Sequence, residues 1–203
     1  MNKLARIAAS HYLVDKHDRN TAKSKIAKKI DDTGYRLVSL HRGVAAYDDD
    51  NNRVISIKGT NPMNLKDLKS DVLLATGFQE NDPQFVQRTD QVRAMLTKDK
   101  PVTIVGHSLG GSIATHMLTK DKPIRDAIEE AVLFNTGYSK PFHDSLKVGL
   151  TKEAYDALKS KITHHHIKGD LISEALERKA IGSVVTHDSD ISPHGIENFL
   201  ELE

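Results

Sequence analysis

The chain has 203 residues, 29 Lys+Arg against 28 Asp+Glu, a formal net charge of +1, and neither Cys nor Trp. Near-neutral charge excludes delocalised nucleic-acid binding, and the missing Cys excludes a disulfide framework, a thiolate zinc site and a Cys nucleophile. A share of 28% charged and 38% hydrophobic residues is ordinary for a globular chain able to bury one core, so one domain is expected over 1–203.

In the opening stretch MNKLARIAASHYLVDKHD, Arg6, Ser10 and His11 interrupt the apolar positions, so no secretion-type h-region forms. Leu4, Ile7, Ala8 and Tyr12 recur at helical spacing and predict a helix over 3–16. A second helix is expected over 21–30. Its Lys23, Lys25, Lys28 and Lys29 form a solvated face, with contact to an anionic surface as the rival reading. YRLVSL (35–40), GVAAYDD (43–49) and RVISIKG (53–59) are strand-like. DDDNN turns the last two into a hairpin over 43–59.

Helical periodicity returns over 64–75 and 84–97. PVTIVG (101–106) suits a strand buried on both faces, followed by a helix over 109–119. AVLFN (131–135) is the next buried strand. Gly137, Pro141 and Gly149 predict a loop over 136–150, and Thr151 caps a helix over 151–160. ITHHHIKG (162–169) and VVT (184–186) complete the strands, and GIENFLEL (195–202) reads as a closing helix. Strands alternating with helices predict an α/β fold: a mainly parallel sheet with helices on both faces. No run approaches the roughly 18 apolar residues that span a bilayer. A cytoplasmic protein with at most peripheral membrane contact is the default expectation.

The informative stretch is Gly106-His107-Ser108-Leu109-Gly110-Gly111, which contains Gly-x-Ser-x-Gly. A Ser on a sharp strand-to-helix turn needs tiny residues two before and two after it, because strand and helix nearly touch there. The preceding strand and the small-residue helix start supply that context. Ser108 is therefore the candidate nucleophile, with the Leu109 N–H placed to hold an oxyanion.

A Ser nucleophile needs a His base and an orienting carboxylate, in the chain order Ser, acid, His for this fold class. His116 falls inside the nucleophile helix, and His143 precedes the good acid candidates. His164, His165 and His166 lie within a strand, where only His164 and His166 share a face. Their bland reading is partly buried His satisfied by hydrogen bonds. His187 and His194 remain, and the loop-to-helix junction Ser192-Pro193-His194-Gly195 favours His194. Asp170, at the tip of strand ITHHHIK, is the acid candidate, with helix N-cap as its other reading. Asp144, Asp188 and Asp190 are fallbacks. The other ten of the eleven His receive no catalytic role.

These pieces, in order, resemble the class 3 (fungal-type) lipases: the opening helix KLARIAASHYL, the strand ISIKGT (55–60), LKDLKSD (65–71), GHSLGG, HIKGD and SPHGIENFL. The resemblance implies an α/β-hydrolase fold and a lipase or esterase acting on acylglycerol, phospholipid or smaller esters. It implies Ser108 as nucleophile, His194 as base and Asp170 as orienting acid. It also implies an oxyanion hole from the Thr60 and Leu109 N–H groups, helped by the Thr60 hydroxyl. No metal or cofactor is implied, and the partner expected is a lipid or small ester substrate. An inactive lipase-fold module that binds lipid or a partner is the alternative.

The chain also departs from the family pattern. Lys58 replaces the commoner Arg, and TGYSKP follows AVLFN in place of Gly-x-Pro-Arg. The 61–70 lid carries Lys66, Asp67 and Lys69 beside Met63, Leu65 and Leu68, so it offers little apolar surface. Long-chain triglyceride is therefore not the expected substrate.

Overall fold

A computed structural model describes residues 2–59, 83–137, 140–170, 173, 180–189 and 193–200. The expected helix over 64–75, the 61–70 lid, Thr60 and Asp190 lie outside the described residues.

Among the described residues, seven strands form one mixed sheet in the order of the sequence. They are β1 (Arg36–Leu40), β2 (Val44–Asp48), β3 (Arg53–Ile57), β4 (Val102–His107), β5 (Glu130–Phe134), β6 (Ile162–Ile167) and β7 (Ser183–His187). The first two pairings are antiparallel and the remaining four are parallel. The β2–β3 pairing is the expected hairpin.

Helix α1 spans Asn2–His11 and continues as a 3-10 turn over Tyr12–Asp15, so the expected 3–16 helix tightens at its end. Helix α2 (Arg19–Ile30) starts at an Asp18 cap whose carboxylate accepts from the Asn20 and Thr21 N–H groups. Its lysines are exposed, while Ala22, Ile26 and Ile30 face inward at helical spacing. Helices α3 (Pro83–Met95), α4 (Leu109–Lys120), α5 (Lys122–Ala127), α6 (Lys140–Lys147) and α7 (Lys152–Lys161) connect the parallel strands.

Helix α6 corrects the expected loop over 136–150. Its Pro141 sits in the first turn, where no intrahelical N–H is required. Gly149, at φ 76°, lies just past the helix end, where a left-handed residue stops it. The breakers bracket the helix, and Phe142 and Leu146, one turn apart, bury its inner side. The closing helix expected over 195–202 is a 3-10 turn, Ile196–Phe199, within the described residues.

Because each parallel connection steps to the next strand in the same direction, right-handed crossovers put α3 to α7 on one face. There Val102, Ile104, Ala131 and Leu133 pack with Phe85, Val92, Ile113, Leu146 and Leu158. Strand alternation sends Val54, Val105, Val132 and Phe134 to the opposite face, under α1, α2, Ile196 and Phe199. Both faces are thus covered. No helix among the described residues is long and apolar enough to cross a membrane.

Candidate active site

The parallel strands end at a common edge, where open α/β sheets place their chemistry. Gly59 follows β3, Ser108 follows β4, Asn135 follows β5 and Asp170 follows β6.

Ser108 sits at φ 55°, ψ −125°, a strained conformation for a residue with a side chain. Strand and helix press together around it. A Cβ on Gly106 would meet the Gly110 backbone at 2.8 Å, and one on Gly110 would meet the Ile57 carbonyl oxygen at 2.1 Å. Only glycine fits at either position. The second contact also brings the end of β3 against the start of α4, beside the backbone of Leu109.

Three sequence-selected residues meet at this turn. Ser108 Oγ lies 2.9 Å from His194 Nε2, and His194 Nδ1 lies 3.1 Å from both Asp170 carboxylate oxygens. An ionised carboxylate only accepts, so Nδ1 carries the ring proton and Nε2 is left to accept from the Ser108 hydroxyl. Asp170 and Ser108 are buried, and the His194 side chain is 14% exposed. Leu109 is the first residue of α4, directly after Ser108. Thr60 lies outside the described residues.

The competing candidates sit elsewhere. His116 is packed between the Phe85 and Phe142 rings on the α3–α7 face. His143 bonds its neighbour Asp144, and Asp188 pairs with Lys168 at the surface. His187 bonds His165, 2.9 Å away, and so is no base for Ser108. His164 and His166 do share a face, with ring centroids 5.9 Å apart, and both are fully buried. Among the described residues no three His, Asp or Glu side chains converge as a metal site.

Sequence reasoning missed the residues that hold this arrangement. Asn135 has φ 43°, which Asn tolerates better than most residues. Its Oδ1 accepts from the Ile167 N–H at 3.0 Å, and its Nδ2 donates to the Pro193 carbonyl at 2.7 Å. One buried side chain thus ties the tips of β5 and β6 to the loop carrying His194. A polar residue directly after a buried apolar strand was the available signal. Asn135→Ala is expected to lower the unfolding free energy by about 2–6 kcal/mol, because each of the two partners it abandons costs roughly 1–3 kcal/mol. Urea unfolding measures this.

The Lys58 ammonium lies 2.6 Å from the Asp15 carboxylate, and both are nearly inaccessible. Burial holds the Lys58 pKa down, against the opposing pull of Asp15. The pair pins the end of β3 to the turn after α1.

Solved structures resemble this architecture. M37 lipase superposes with a TM-score of 0.54 at 14% identity, over 88% of this chain and 72% of that one. A lipase from Rhizopus microsporus var. chinensis gives 0.47 at 14% identity, over 81% and 64%. Zea mays acyl-protein thioesterase 2 gives 0.41 at 16% identity, over 58% and 62%. The chain spans less than two thirds of the last two proteins. The M37 superposition shows that the fold is that of the α/β-hydrolases. No protein-family model matches the sequence, and neither does any curated protein.

Proposed function

We propose that this chain is a single-domain serine ester hydrolase of the class 3 lipase type, acting through Ser108, His194 and Asp170. The observation that carries the reading is the continuous hydrogen-bond chain from the Ser108 hydroxyl through His194 to Asp170, built on a strained turn at the sheet's carboxyl edge. Non-catalytic turns have no cause to spend backbone strain on exposing a serine to a histidine base.

In this reading His194 Nε2 takes the hydroxyl proton as Ser108 Oγ attacks the ester carbonyl. Asp170 stabilises the imidazolium that forms. The oxyanion is held by the Leu109 N–H and, following the family resemblance, by the Thr60 N–H and hydroxyl. The alcohol leaves with the proton from His194. Water, deprotonated by the same nitrogen, then attacks the acyl carbon, and Ser108 Oγ leaves with that proton as the acid is released. No metal or organic cofactor enters any step.

The substrate is a lipid or smaller carboxylic ester. The sparse apolar content of 61–70 favours short, soluble esters over an aggregated lipid phase. The test is a p-nitrophenyl ester series from acetate to palmitate, run beside fluorophosphonate labelling. Turnover is expected to be highest for short chains and to rise smoothly through the substrate's solubility limit. A sharp jump at that limit contradicts the substrate preference. Absence of both turnover and labelling contradicts the enzyme.

A further inference from the structure

His107 precedes the nucleophile, and its buried side chain has two polar partners that the reaction scheme does not use. Its Nε2 lies 2.9 Å from the backbone carbonyl of His194, and its Nδ1 lies 3.0 Å from the Tyr12 hydroxyl. A carbonyl only accepts, so Nε2 must carry the proton. Nδ1 is then a bare acceptor and requires a donor, which the Tyr12 hydroxyl supplies. Donation therefore runs one way, from Tyr12 to His107 to His194. It links the 3-10 turn after α1 to the loop that carries the base.

Residues 193–195 of that loop lie outside helix and strand. Side chains hold them at three consecutive carbonyls. Asn135 donates to Pro193, His107 to His194, and Asn198 to Gly195. Of the three, only the His107 bond reaches the residue whose ring must meet Ser108. The Tyr12 and His107 rings pack edge to face at 5.8 Å, and the His107 and His194 rings are 5.3 Å apart, so the relay is also a packed unit.

We propose that Tyr12 and His107 are positioning residues for the reaction, holding His107 as its Nε2–H tautomer so that it fixes the His194 backbone. The proposal rests on the reading of Ser108, His194 and Asp170 as the reacting triad. Burial holds the His107 pKa down to about 3, so the ring stays neutral while the enzyme works, and an acceptor at Nδ1 is always present. Without the Tyr12 hydroxyl the ring is free to move its proton to Nδ1, and the donor toward His194 is lost.

The test uses Tyr12→Phe, His107→Gln and His107→Leu in the full chain, with circular dichroism to establish folding. Gln places an N–H donor near the former Nε2, whereas Leu fills similar space and donates nothing. The Tyr12→Phe and His107→Leu variants are expected to lose about 10- to 100-fold in kcat on a short p-nitrophenyl ester with KM unchanged, the scale of a misplaced catalytic group. His107→Gln should recover part of that loss. In the unaltered protein, long-range ¹H–¹⁵N NMR should show His107 protonated at Nε2 alone, and Tyr12→Phe should mix the tautomers. Equal kcat for Leu and Gln, full kcat in Tyr12→Phe, or an Nδ1–H tautomer overturns the proposal. An unaltered chain that neither labels with fluorophosphonate nor cleaves ester overturns the triad reading, and catalytic positioning falls with it. The tautomer spectrum then still reports whether the relay itself exists.

Discussion

Ser108→Ala is expected to cut ester hydrolysis by about 10⁴- to 10⁶-fold and to abolish fluorophosphonate labelling, the scale of losing a triad nucleophile. The missing oxygen is the protein group that the reaction scheme bonds to the acyl carbon. His194, Asp170 and the backbone donors remain, so any residual rate measures their contribution alone. Loss of activity through misfolding is distinguishable, because the position is strained in a known direction. At φ 55°, Ser and Ala both carry a Cβ that the backbone disfavours, whereas Gly carries none. Ser108→Gly should therefore be equally inactive yet melt at a higher temperature than Ser108→Ala, by the release of roughly 1 kcal/mol or more of strain. An alanine variant that labels as well as the unaltered protein removes Ser108 from the mechanism.

What could be read from the amino acids was whatever depends on neighbours in sequence. The buried strands announced themselves as short β-branched runs. The Gly-x-Ser-x-Gly turn did so through two glycines whose Cβ atoms would strike backbone. Asp170 and His194 were selected by chain order and by position at strand and helix junctions; His194 lies against Ser108, and Asp170 against His194. What stayed hidden depends on residues far apart in the chain. Tyr12 and His107 are separated by 95 positions, and Asn135 and Pro193 by 58. No local pattern encodes either contact. Helix α6 was missed for a different reason: Pro141 and Gly149 read as breakers, and their meaning as boundaries emerges only when Phe142 and Leu146 find the core. The His residues were similarly opaque. Composition counts them, but only packing decides which are buried as neutral rings.

That burial makes the fold sensitive to acid. His11 is held between Ser56 Oγ and the His41 carbonyl, His107 lies in the relay, and His164 contacts the Ile181 carbonyl. Burial, the largest cause in each case, lowers their pKa values to about 4, 3 and 3. At His11 the nearby positive charges of Lys58 and Arg88 add to the lowering. In the unfolded chain a His titrates near its ordinary value of about 6.5. Below that pH the unfolded chain binds protons that the folded one refuses. Stability is therefore complete above about pH 6.5 and declines as pH falls toward the folded-state values, by roughly 1.4 kcal/mol per pH unit per group. By about pH 5 the three together forfeit roughly 6 kcal/mol, comparable with the whole stability of an ordinary domain at 5–15 kcal/mol. His165, also lowered by burial, and His187 act in the same direction. Thermal midpoints by circular dichroism should be level from pH 8 to pH 7 and fall steeply between about pH 6.5 and 5. His164→Leu should remove about one group's share of that slope. A midpoint that does not change across this range contradicts the neutral burial of these rings. The consequence reaches the enzymology. Activity lost near pH 5 will report the fold as well as the chemistry, so the acid side of a rate profile is interpretable only beside the melting curve at each pH.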